Sequence, residues 1–167
     1  SVVDTLKIDD QGRFSNVFDT VNNHFYLLKH FSESQIFFLE EGDSLGIHLN
    51  TEAFDESLTF SGPGSEKNNY LIERFLFNED NQHLFLEKLT SAPEDYLSMA
   101  DSIYEVKLKE LNRQKIKFQF SDSFSTFAKT TLQYEHYFRL EEYIHHHLTE
   151  GNAYDSLKNS LITQHRS

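Results

Sequence analysis

From residue 2 to about residue 61, apolar positions fall in short segments: Leu6 with Ile8, Phe14 with Phe18, residues 25–31, residues 36–39, Leu45 with Ile47 and Leu49, and Leu58 with Phe60. Turn residues separate them at Asp9-Asp10-Gln11-Gly12, Asn22-Asn23, Ser32-Glu33-Ser34, Glu41-Gly42-Asp43 and Gly62-Pro63-Gly64. A spacing of about ten residues between such signals predicts an antiparallel meander, sandwich or barrel. The cleanest period of two is Leu45, Ile47 and Leu49 against Gly46, His48 and Asn50, with one side inward and the other in water.

After Gly64 the period becomes that of a helix. Ser65 is placed to cap it, Glu66 suits the positive helix start, and Tyr70, Leu71, Phe75 and Leu76 share a face. A second apolar patch at Leu84, Phe85, Leu86 and Leu89 ends before Ser91-Ala92-Pro93-Glu94-Asp95, a start signal for a helix running to about Ile116. Its seam is Leu97, Ala100, Tyr104, Leu108 and Leu111. Residues 117–120 read as an extended connector. Ser121-Asp122-Ser123 then opens a helix of about 25 residues, with Phe127, Tyr134, Tyr137, Leu140, Ile144 and Leu148 on its contact face and Gly151-Asn152 as its stop. A last amphipathic turn or helix is predicted over 153–164, anchored by Tyr154, Leu157, Leu161 and Ile162. The reading is an α+β chain: an antiparallel β-meander or sandwich over 1–62, then a helical subdomain over 63–167.

Sixteen Phe, eight Tyr and no Trp require phenyl rings to fill much of the interior. A chain of 167 residues can bury roughly 68–70% of its unfolded surface, so a real core is available. The formal charge of −12 repels phosphate backbones and anionic headgroups, which excludes nucleic acid as the expected partner. The run Ile36-Phe37-Phe38-Leu39 falls far short of the ~20 apolar residues that span a bilayer. No membrane span is predicted. With no cysteine, disulfides, thiolate metal sites and thiol nucleophiles are excluded from this chain.

Three stretches carry candidate chemistry. Gly62-Pro63-Gly64-Ser65-Glu66-Lys67 precedes a helix N-terminus, where free N–H groups and Lys67 could hold an anion. Its spacing matches neither a Walker loop nor a dinucleotide fingerprint, and Glu66 opposes an anion, so the corner reads as architecture. Among nine histidines, His145-His146-His147 is the densest group. Neighbours on a helix diverge by about 100°, leaving only Glu141 with His145, or Glu142 with His146, as pairs, two ligands where a zinc site wants three or four. Tyr134, Tyr137, Phe138 and Tyr143 could stack on sugars or bases, but rings at helical spacing read first as core; His136 lies on a different azimuth. No catalytic, cofactor-binding or metal-ligating residue is assigned, and no cofactor.

The stretch "FLEEGDSLGIHLNTEAFDESLTFSGPGSEKNNYL", residues 38–71, resembles the region ahead of the thioredoxin domain in envelope thiol–disulfide oxidoreductases of the TlpA-like class of Bacteroidota. The matching residues are Gly42-Asp43-Ser44-Leu45, Phe54-Asp55-Glu56, Gly62-Pro63-Gly64 and Asn68-Asn69-Tyr70-Leu71. "DTLKIDDQGRF", residues 4–14, is similar to the early hairpin of such regions, and the tyrosine-rich helix over 134–143 to the segment before the thioredoxin fold. Those enzymes carry Cys-x-x-Cys on a following domain; this chain has no cysteine, so no redox role transfers to any residue here. The resemblance implies a non-catalytic accessory module of the periplasm or cell envelope, acting in spacing, partner binding or dimerisation beside a C-terminal thioredoxin-like domain. Two other readings stand next to it. One is a small-ligand binding protein or metal-dependent hydrolase using His and Glu side chains. The other is a self-associating homodimer pairing its helical faces 97–111 and 134–148.

Overall fold

The computed structural model describes residues 4–18 and 24–149. The predicted stop at Gly151-Asn152 and the final turn or helix over 153–164 lie outside the described residues. Strands β1 (His24–His30) and β2 (Glu33–Leu39) pair antiparallel, as do β3 (Gly46–His48) and β4 (Thr59–Ser61). A one-turn helix, α1 (Phe54–Ser57), lies between β3 and β4. Three long helices follow: α2 (Ser65–Lys88), α3 (Pro93–Phe118) and α4 (Asp122–Thr149). The α+β class stands, with the β part built as two separate two-stranded ribbons.

The period of two holds where a neighbour covers one side. Leu45, Ile47 and Leu49 are half-buried while Gly46, His48 and Asn50 are exposed. Residues 4–18 form no strand, contrary to the expectation at Leu6, Ile8, Phe14 and Phe18. Their order is a turn in which the Asp9 N–H donates to the Arg13 carbonyl at 2.8 Å. Alternation there has no sheet to face: Ile8 and Val17 are exposed, while Phe18 reaches the ribbon, its ring 5.8 Å from Tyr26.

The α part is read more closely by its pattern. On α3 the predicted seam is right at Ala100 and Leu111, each 2% exposed, and it extends to Tyr96 and Gln114. That helix also continues to Phe118, so the connector shrinks to Gln119 in a left-handed conformation, φ 55°, and Phe120. On α4 the expected face is right at Leu140, which is buried, and at Phe127, which packs against the core, but its tyrosines are out of phase. The buried ridge is Phe124, Ala128, Leu132, His136, Leu140 and Tyr143, which are steps of four closed by one of three. Tyr134 and Tyr137, expected inside, are exposed, and His136, placed on another azimuth, is inside.

Two clusters join sheet to helices. Phe38 of β2 packs with Tyr70, Leu71, Leu111, Phe120, Phe124, Ala128 and Leu132; Phe37 and Leu39 pack with Phe54, Leu58, Phe60 and Ile72. A third, of Phe85, Tyr96, Ala100, Leu140 and Tyr143, belongs to the helices alone. No helix among the described residues is long and apolar enough to cross a membrane.

Candidate functional site

The glycine corner closes around a buried lysine. Gly64 ends the loop in a left-handed conformation, φ 88°, and occupies the N-cap position of α2, so Ser65 is the first helical residue and does not cap. One turn on, Lys67 points inward. Its Nζ donates to Glu40 Oε2 at 2.7 Å and to Asp43 Oδ1 at 2.9 Å. Asp43 in turn accepts the Glu40 N–H at 2.8 Å, and Glu40 accepts the Ser121 hydroxyl. That same Ser121 oxygen caps α4 by accepting the Phe124 N–H at 3.0 Å, which realises the predicted cap. One ammonium thus ties the end of β2, the Gly42 turn, α2 and the start of α4. With two carboxylates already on it, Lys67 has no call on a further anion.

The adjacent Asn68 and Asn69 fasten the two ribbons. Asn68, fully buried, brackets the backbone of Phe38 on the free edge of β2, and Asn69 brackets Phe60 of β4, accepting its N–H and donating to its carbonyl at 2.8 Å each. A carboxamide has the donor and acceptor of a peptide group, so each side chain substitutes for the next strand. The residues behind the family resemblance, Asp43, Gly64, Asn68 and Asn69, therefore meet in one structural joint.

The histidine run is divided by the helix. His145 is exposed, Glu142 is engaged by Arg139 at 2.7 Å, and His147 Nε2 lies 2.8 Å from the Leu89 carbonyl. A carbonyl only accepts, so His147 carries its proton on Nε2 in this contact. Tyr143 similarly donates to the Ser91 carbonyl at 2.8 Å. Together they satisfy carbonyls around the end of α2, groups a helix leaves open. Among the described residues no three His, Asp or Glu side chains are placed to share a metal ion.

The proposed aromatic platform separates as well. Tyr143 is core, stacked on Tyr96 at 4.2 Å, whereas Tyr134 (71%), Tyr137 (47%) and Phe138 (56%) are exposed. Phe127 lies on the side of α4 shared by Tyr134 and Phe138, seven and eleven residues further on, and stacks with Phe25 of β1 at 5.3 Å.

A small cleft of about 70 Å³ opens between α2, α3 and α4, walled by Phe85, Ile103 and Leu132 and by the polar side chains of Lys107, Glu135 and Arg139. Lys107 reaches Glu135 Oε2 at 3.1 Å, and Arg74, arriving from α2, lies 3.4 Å from Oε1. Arg74 Nε and Nη1 are buried with no hydrogen-bond acceptor among the described residues. Burial pulls the Lys107 amine below its ordinary range, against the upward pull of Glu135, and Arg74 and Arg139 add to the lowering. On the same wall His136 Nε2 lies 3.3 Å from Asp101 and its ring stacks near Tyr104 at 4.9 Å.

Sequence reasoning missed this group. Its signal was a charged residue in an apolar seam: Lys107 stands three positions after Tyr104 and four before Leu111, and Glu135 adjoins the ridge residue His136. No family model, curated protein or solved structure matches the chain.

Proposed function

We propose that this chain is a non-catalytic accessory module that works by protein contact, the role implied by its likeness to the region ahead of a TlpA-like thioredoxin domain. The observation that carries this reading is the apolar strip formed by Phe25, Phe127, Tyr134 and Phe138. Positions 127 and 138 are eleven residues apart on one helix face, a length of about 16 Å. Phe127 roots the strip in the core, its ring 5.5 Å from Phe38, while Phe25, Tyr134 and Phe138 stand exposed beyond it, and exposed apolar surface of this kind marks interaction sites.

The strip continues onto β1, whose outward side carries Phe25 and Leu27, 58% and 59% exposed. At the hairpin tip Phe31 is 86% exposed and sits at φ 52°, a conformation that favours glycine or asparagine. A large ring there breaks two local rules at once, as residues retained for contact do.

Sedimentation velocity tests the reading, with the chain alone over a range of concentrations and mixed with a thioredoxin-like domain. The double substitution Tyr134→Ser and Phe138→Ser should leave the melting temperature within a few degrees and weaken association at least tenfold. Identical sedimentation of parent and variant, or turnover of insulin disulfides by the chain itself, would remove it.

A further inference from the structure

We propose that the cleft between α2, α3 and α4 is a binding site for a short aliphatic monocarboxylate, held by Lys107 with Arg139 at the rim. The argument begins with charge. Arg74 and Lys107 converge on the single carboxylate of Glu135, which leaves one positive charge over, in a chain whose formal charge is −12. Arg139 is matched by Glu142 at 2.7 Å, and Glu110 by Arg113, so neither neighbour cancels the surplus. Glu73 is engaged on another side by the Gln114 amide at 2.8 Å.

The donors are also underused. An ammonium offers three N–H groups, and Lys107 spends one on Glu135; its side chain is 11% exposed, lines the cleft and has the Phe77 ring 5.8 Å from Nζ as another neighbour. Arg74 lies 3.4 Å from the other Glu135 oxygen without lining the cleft, so the one carboxylate is shared between two cations. A buried cation in surplus is costly, and its depressed affinity for a proton is the expression of that cost.

Size and polarity select the ligand. A cleft of about 70 Å³ takes a two- or three-carbon acid, and its apolar lining of Phe85, Ile103 and Leu132 suits an alkyl chain. Glu135 lines the same wall and repels a second negative charge, so a dianion such as hydrogen phosphate is disfavoured against a carboxylate. The Arg139 guanidinium, stacked 4.6 Å over Phe85, is fixed at the edge where a carboxylate oxygen would leave the apolar walls.

The test is NMR line broadening of carboxyl-labelled acetate and propionate on addition of the full chain, at constant ionic strength. Saturable broadening with a dissociation constant in the millimolar range is expected, propionate the tighter, with phosphate failing to compete. Lys107→Met should weaken binding at least tenfold and Lys107→Arg should restore most of it. If Lys107→Met does not fold, Arg139→Gln, on a partly exposed side chain, carries the test with a severalfold loss. Equal competition by phosphate, broadening that never saturates, or binding unchanged in the folded variants overturns the proposal.

Discussion

The carboxamide of Asn68 takes both outward backbone groups of Phe38: Oδ1 accepts the N–H at 2.6 Å and Nδ2 donates to the carbonyl at 3.0 Å. Nδ2 also donates to the Gly64 carbonyl at 3.1 Å. Asn68 is fully buried, so Asn68→Ala strands these groups rather than returning them to water. We expect a loss of about 3–5 kcal/mol in urea unfolding, against about 1–2 for Asn69→Ala, whose partners on β4 lie nearer solvent.

Gly64 and Gly12 separate strain from collision. Both have positive φ, 88° and 74°, but a Cβ on Gly64 would fall on the Asp43 carboxylate while one on Gly12 meets nothing within 4 Å. Gly12→Ala should cost about 1 kcal/mol by backbone strain alone. Gly64→Ala must also push Asp43 off Lys67, exposing the buried ammonium to a lost partner, and should cost about 3 kcal/mol or more in the same measurement.

Alkaline pH should unfold the chain through its interior phenols. Burial raises both Tyr70 and Tyr96 to about 12 from an ordinary value of 10.0. The folded state therefore holds these protons more tightly than the unfolded one. Their contribution is fully present below pH 10 and is lost as pH rises toward 12, by about 2–3 kcal/mol per group. Burial of Lys107 acts oppositely, since a lowered amine is relieved as pH rises. The Tyr70 hydroxyl finds no hydrogen-bond partner among the described residues. Tyr70→Phe should then be neutral or slightly stabilising at pH 7 and should move the alkaline transition upward, seen by circular dichroism with phenolate absorbance as a check.

The phase of α4 is open to a direct contrast. Leu132 is 1% exposed and Tyr134, two residues on, is 71% exposed. Leu132→Ala should cost about 2–5 kcal/mol and Tyr134→Ala within about 0.5, measured by thermal or urea unfolding.

What the pattern of residues could reveal follows from how each element finds its neighbours. Helix α3 was legible because its inward side is built on one row of apolar residues at steps of three and four, to which packing adds Tyr96 and Gln114 and, beside the cleft, Ile103 and Lys107. Helix α4 misled because it is amphipathic twice: a ridge of mixed small, polar and apolar residues faces in, while the larger rings of Tyr134, Tyr137 and Phe138 face out. Ring size signals burial only when an element has a single apolar side. The strands expected over residues 4–18 failed for the complementary reason, since alternation needs a partner edge that no local pattern supplies. Lys67, Asn68 and Asn69 looked like a polar helix start. Their inward direction came from tertiary pairing with β2, β4 and the Gly42 turn, contacts separated by 9 to 30 residues.

The two neighbouring asparagines also set an order of events during synthesis. A lone two-stranded ribbon is marginal in water, and here each ribbon lacks its outer neighbour until the chain has emerged beyond residue 69 and wound into helix. The two ribbons, within residues 24–61, thus wait half-made for the segment that follows them, and a helix just leaving the ribosome becomes the clasp that finishes both sheets in one stroke.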